Sequence, residues 1–172
     1  MADFRKKRTD LIIFQALNNM LEQDLFSEIT VNQIAQNALV HRNTFYHHFE
    51  DKYDLLHRFI LFTLNNSITG VDRIRFSKQP FHIFHEQYGY NESHKQIFKL
   101  QSGDKKFMQI FSSSFEEIFV QGNNDADNIW AMGKISAIMT WNRLNGSRYN
   151  MFSDYEFLDH IFETHQFPII DN

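Results

Sequence analysis

Apolar positions in the first third of the chain recur with helical spacing and are broken by short polar stretches. Over 9–24, Ile13, Leu17, Met20 and Leu21 follow at steps of four, three and one. That is one stripe on a 3.6-residue helix, with Thr9 as its expected cap. Residues 25–29 form a short connection. Thr30-Val31-Asn32-Gln33 then reads as a capping box, with Ile29 and Ile34 placed to staple the helix start. Ile34 and Ala35 face inward, and this second helix ends near Asn37-Ala38. A third begins after Val40, at His41 or Arg42, and closes at Phe49-Glu50. Asp51 caps a long fourth helix from Lys52 to about Ser67, striped by Tyr53, Leu56, Ile60 and Leu64.

Further helices are expected at about 80–89, 92–101, 104–120, 125–144 and 153–166, with breaks at Gly103, Gly122-Asn123-Asn124 and Gly146. Ser153-Asp154-Tyr155-Glu156 has the form of a second capping box, with Phe152 and Phe157 as its staple. No strand-like alternation is sustained. The expectation is therefore an all-α chain of about nine helices.

Composition sharpens this picture. Two Pro and six Gly among 172 residues fit long helices with short connections, and 19 Phe supply ample core. The absence of Cys removes disulfides, thiolate metal sites and thiol redox sensing. No signal peptide or membrane span is visible, so a cytoplasmic protein is expected. The net charge of −4 is the wrong sign for coating nucleic acid, so any such contact must be local. Arg5-Lys6-Lys7-Arg8 is a basic cluster, more often a solvated terminus than a site.

The informative segment is 29–55: a short helix, a turn, a second short helix, then a long one. Two helices joined this way bury little alone and need the first and fourth for support. The inward face would be Phe45, with His48 and Phe49 as further candidates, against Ala35 and Val40. The outward side of the third helix then carries Arg42, Asn43, Thr44 and His47, short polar side chains suited to base edges in a major groove. Phosphates would meet the N-terminus of the second helix at Thr30 and Val31, the hydroxyl of Tyr46 and the cation of Lys52.

With these residues in view, 9–62 resembles the DNA-binding domain of the TetR family of bacterial transcription regulators. The motif reads Thr30-Val31, Ile34-Ala35, Ala38-Leu39-Val40-His41, Thr44-Phe45-Tyr46-His47-His48-Phe49, Lys52 and Leu55. Leu39 stands where the family usually has Gly, His41 where it has Ser, and Leu25 where Gly often ends the first helix. The left-handed residue of the turn is therefore expected at Asn37 or Ala38. The resemblance implies base reading by Asn32, Arg42, Asn43, Thr44 and His47. It implies phosphate contacts from Thr30, Tyr46, His48 and Lys52. It further implies a helix-turn-helix domain (1–50), joined by a long helix to a helical effector-binding and dimerisation domain (51–172). On that pattern the chain is no enzyme but a homodimeric regulator, expected to be a repressor, on a palindromic double-stranded DNA operator.

The last two helices carry much apolar surface, including Trp130, Ile138, Trp141, Phe157, Leu158 and Ile161, which pairing with a second copy would bury. In the family these helices form a four-helix bundle between subunits. The Phe-rich middle (Phe84, Tyr88, Phe98, Phe107 and Phe111 among others) would line a pocket for a small hydrophobic effector on the family pattern; on spacing alone it is core. No cofactor is expected. His82 and His85, three apart on one helix, are the best zinc candidates, with His94 the only third ligand in view. They motivate the alternative: a dimeric metal-sensing or protein-interaction module with secondary or lost DNA binding.

Overall fold

The computed structural model of the chain describes residues 2–67, 70–119 and 126–168. These form ten helices and no strand: α1 (Ala2–Leu21), α2 (Val31–Asn37), α3 (Arg42–His48), α4 (Lys52–Ser67), α5 (Gly70–Arg75), α6 (Pro80–Tyr88), α7 (Glu92–Gln101), α8 (Lys105–Phe119), α9 (Ala126–Leu144) and α10 (Tyr155–Thr164). All nine expected helices are present, and α5 is additional. The expected break at Gly122-Asn123-Asn124 lies outside the described residues.

α1 starts earlier than its apolar stripe suggested. Thr9 is not a cap: its hydroxyl donates to the Arg5 carbonyl inside the helix, at 3.1 Å. Arg5 to Arg8 are strong helix formers with no breaker among them, so the basic cluster is helical rather than a tail.

The local signals around α2 and α3 hold. The Gln33 N–H donates to Thr30 Oγ1 (3.3 Å) and the Thr30 N–H to Gln33 Oε1 (2.9 Å), the reciprocal capping box. His41 caps α3 through Nδ1, which accepts the Asn43 N–H at 3.2 Å. Asp51 Oδ1 accepts the N–H groups of Tyr53 and Asp54, each at 2.8 Å, and so opens α4.

The turn corrects one expectation. The left-handed residue is neither Asn37 nor Ala38 but Leu39, at φ 54°. The Leu39 N–H donates to the Gln36 carbonyl and the Val40 N–H to the Ala35 carbonyl, the paired bonds of a Schellman ending. That ending fixes the conformation whatever residue occupies it, and Leu takes the place where glycine is easiest.

Packing divides the chain into two units, each compact in itself. One comprises the residues up to Leu64 together with Gln96–Phe115; the other comprises Asn65–Lys95 together with residues from Glu116 onward. The partition expected at 50 and 51 followed the family resemblance, not packing. By packing, α4 to Leu64 and the α7–α8 region keep company with the first three helices.

The first unit is centred on Ile13, Leu17, Leu21, Phe26, Ile34, Phe45, Leu55 and Leu56, all fully buried. Burying each such side chain contributes about 1.5–3 kcal/mol. In the second unit, Phe76 stacks on Phe119 with centroids 3.9 Å apart, and Phe81, Phe84, Ile138, Leu158 and Phe162 complete the core. Asp159 of α10 caps α6 from a distance: its two carboxylate oxygens accept the N–H groups of Phe81 (3.0 Å) and His82 (2.8 Å). Burial pushes this carboxyl up to about 6. The second expected capping box does not form, because the side chains preceding α10 take a different pattern. Asp154 Oδ2 accepts the Asn150 N–H, and Asn150 Oδ1 accepts those of Phe152 and Ser153.

Candidate nucleic-acid interface

α3 has two unlike sides. Phe45 is fully buried and Phe49, just past the helix end, nearly so; their rings lie 5.7 Å apart, and Phe49 meets Phe14 of α1 at the same distance. This anchor turns Arg42, Asn43, Tyr46 and His47 outward, all exposed, with Thr44 half-buried. Asn32, on the first turn of α2, is exposed too.

Arg42 is held in place on this surface. Its Nη2 donates to Tyr46 Oη at 3.2 Å, and its guanidinium lies 5.4 Å from the centre of the Tyr46 ring. A cation fixed over a ring loses less rotamer freedom when it meets a base. The Thr30 hydroxyl is committed to Gln33 Oε1 at 2.6 Å, leaving the start of α2 to offer backbone N–H groups to an anion.

Two residues expected at phosphates face the chain instead. His48 turns towards α1, its Nδ1 2.6 Å from Asp10 Oδ1, which agrees with the inward reading of this residue. Lys52 Nζ donates to the carbonyls of Phe26 (3.0 Å), Ser27 (3.0 Å) and Ile29 (2.7 Å). All three ammonium protons are thus used. Desolvation by burial lowers the Lys52 ammonium from its ordinary value, partly countered by the charge of Asp104. Arg5, Lys6, Lys7 and Arg8 are exposed on α1. Successive helix positions turn by about 100°, so the four cations cannot all face one surface.

The other expected sites are distributed as follows. Phe98, Phe107 and Phe111 belong to the first unit, where Phe111 lies 5.6 Å from Phe98 and 6.1 Å from Phe107. Phe84 and Tyr88 belong to α6 in the second. Among the interface residues, Ile138, Leu158 and Ile161 are core residues of their own chain, at the packing of α9 on α10. This corrects their assignment to a partner-facing surface. Trp141 is half-buried in stacks with Tyr149 and Phe167, and Phe157 stacks on Tyr149. Trp130 is 71% exposed. Sequence reasoning missed Leu144, 73% exposed on the same helix, because periodicity alone does not say which side of an apolar helix stays open.

For the zinc candidates, His82 Nε2 lies 3.2 Å from Glu86 and His85 Nδ1 2.6 Å from the Phe152 carbonyl. The Tyr155 ring packs against both imidazoles, at 5.1 and 4.0 Å. Among the described residues no group of three His, Cys, Asp or Glu is placed to hold a metal.

No described helix is long and apolar enough to cross a membrane. No curated protein matches the chain. Residues 13–59, from α1 into α4, match the family model of bacterial regulatory proteins, tetR family. This segment of the chain is thus similar to the DNA-binding helix-turn-helix domain of bacterial transcription regulators of the tetR family.

Proposed function

We propose that the chain acts as a homodimeric repressor, placing two copies of α3 in successive major grooves of a palindromic operator. The observation that carries this reading is the outward row Arg42, Asn43 and His47, held by the buried Phe45–Phe49 anchor. In this reading Asn32, Arg42, Asn43, Thr44 and His47 meet bases, while Tyr46 and the amides opening α2 meet phosphates. His48 and Lys52 support the surface from beneath.

Pairing is supported by α9. Trp130, Gly133, Ala137, Thr140 and Leu144 are all exposed and follow at steps of three and four, the seam of two supercoiled helices. Gly133 sits in the helix interior, where it costs about 1 kcal/mol relative to Ala. A methyl group at Gly133 would meet nothing within 4 Å in its own chain. Internal packing does not require a glycine there; close approach of a second helix does.

The test is selection of duplexes from a random-sequence pool by the purified chain, followed by footprinting and sedimentation. The expected sites are inverted repeats with half-site centres roughly 34–36 Å apart, bound by two chains. Selection of asymmetric single sites by a monomer would sink the reading. Repression is tested by a reporter behind the selected site, which should be silenced by the chain. Release by a small hydrophobic effector belongs to the same reading, and a compound acting this way should raise the Kd for the selected duplex.

A further inference from the structure

In the connector between α1 and α2 the N–H groups of Gln23, Asp24, Glu28 and Ile29 find backbone carbonyls, and side chains distant in sequence complete the rest. Gln101, fully buried at the end of α7, accepts the Phe26 N–H on Oε1 (2.9 Å) and donates through Nε2 to the carbonyls of Leu21 (2.9 Å) and Asp24 (2.8 Å). Gln96 donates to the Glu22 carbonyl at 2.9 Å. Asp104 caps α8 with Oδ1, which accepts the Lys106 and Phe107 N–H groups, and takes the Ser27 N–H on Oδ2 at 2.6 Å.

One peptide unit carries both charges. The carbonyl of Phe26 accepts from the Lys52 ammonium, and the N–H of the same peptide, on Ser27, donates to the Asp104 carboxylate. The peptide dipole is aligned between a cation at its oxygen and an anion at its hydrogen, the arrangement in which hydrogen bonds are strongest. Two residues further on, the Ile29 carbonyl takes the third Lys52 proton, immediately before the Thr30 cap of α2. Phe26 is fully buried between Tyr53 and Phe107, at 5.7 and 6.4 Å.

We infer that Gln101 and Asp104 are positioning residues for DNA binding, fixing the connector and thereby the angle at which α2 and α3 meet the duplex. They touch no nucleic acid themselves. The inference rests on the DNA-binding reading of α3.

The test compares Asp104→Ser and Asp104→Asn with the wild-type chain. Both keep a capping oxygen for α8. Ser is too short to reach Ser27, and the Asn amide can rotate only one acceptor into place. Gln101→Met is the second site. The probe is a duplex selected by the wild-type chain, read by fluorescence anisotropy over a salt series, with amide hydrogen exchange of 22–30 and a thermal melt. The expected result is a Kd raised roughly threefold to thirtyfold. The salt slope should be unchanged, since no phosphate contact is lost, and faster exchange should be confined to the connector. A purely structural role would lower the melting temperature and the active fraction while leaving the Kd of the folded protein alone. That result overturns the inference, as does wild-type Kd in a variant whose connector exchanges faster. Should the Asp104 variants fail to fold, Gln101→Met decides by the same readouts. A wild-type chain that selects no duplex overturns the DNA reading itself, and this inference with it.

Discussion

Leu39 offers a direct check on the backbone argument. It holds φ at 54° while its side chain is 92% exposed, so strain is borne with almost no burial in return. The left-handed conformation costs an L-residue about 1–2 kcal/mol. Glycine removes that cost, but its freedom in the unfolded chain takes back about 0.5–1 kcal/mol. The lost side-chain burial is worth only a few tenths of a kcal/mol at about 25 cal/mol per Å². Leu39→Gly should therefore stabilise the protein by about 0.5 kcal/mol. Leu39→Ala keeps the Cβ, keeps the strain and should leave stability near wild type. Urea denaturation of the three proteins side by side gives the comparison. A glycine variant no more stable than the alanine variant would refute the strain argument, whatever either does relative to wild type.

Other consequences can be measured independently. Lys52→Met leaves three carbonyls without their charged donor and should destabilise the protein by about 2–3 kcal/mol. The salt slope of DNA binding should stay unchanged; a slope lower by about one would show Lys52 on a phosphate after all. Arg42→Ala should cost about 1–3 kcal/mol and relax preference at one base position, as read by repeating the duplex selection with the variant. The folded-state pKa of Asp159 lies near 6, above its ordinary 3.8, so its contribution to stability is complete below about pH 4 and is lost as pH rises to 6. Urea midpoints at pH 5 and pH 7 should show this loss in wild type and less of it in Asp159→Asn. Equal pH dependence in the two proteins would contradict the assignment. Gly133→Leu should abolish pairing in sedimentation while leaving the chain's helical content intact, because the site is open in the single chain. A dimer as stable as wild type would remove α9 as the seam.

What could be read from sequence was local. The Thr30 capping box and the Asp51 cap span four residues each and the stripes of α1 and α4 nine and twelve; all reappear in the structure, except that Tyr53 of the α4 stripe stays exposed and Leu55 is buried. The start of α1 was illegible because Arg5 to Arg8 favour helix without marking its beginning. α5 spans six residues, too few for periodicity to show. The harder losses were long-range. Asp159 caps a helix 78 residues away, and Gln101 closes a connector 75 residues before it. Nothing in the neighbourhood of either residue distinguishes it from a surface polar group. The same limit applies to Lys52: the motif named the residue, but only the fold shows where its protons go. On α9 and α10 the apolar content was evident, yet Ile138, Leu158 and Ile161 serve their own core while Trp130 and Leu144 remain open.

The acidic balance of the chain and a polyanionic partner are reconciled by placement. From Ile29 to Phe49 there is no Asp or Glu, while Arg42 and three His fall within the span. Glu28 and Glu50 border it and are exposed, while three further carboxylates nearby are engaged within the chain. Asp10 meets His48, Asp51 caps α4, and Asp54 accepts the Glu50 N–H and the Arg58 guanidinium. No carboxylate projects from α2 or α3. On the proposed reading, Arg42 and the positive N-terminal end of α2 meet phosphates with no acidic side chain on α2 or α3 to oppose them. At about 8 Å of screening under physiological salt, the remote acids that set the net charge contribute little at this surface. Net charge governs the long-range encounter, and the acid-free stretch governs contact, so an overall −4 is compatible with a face that accepts DNA.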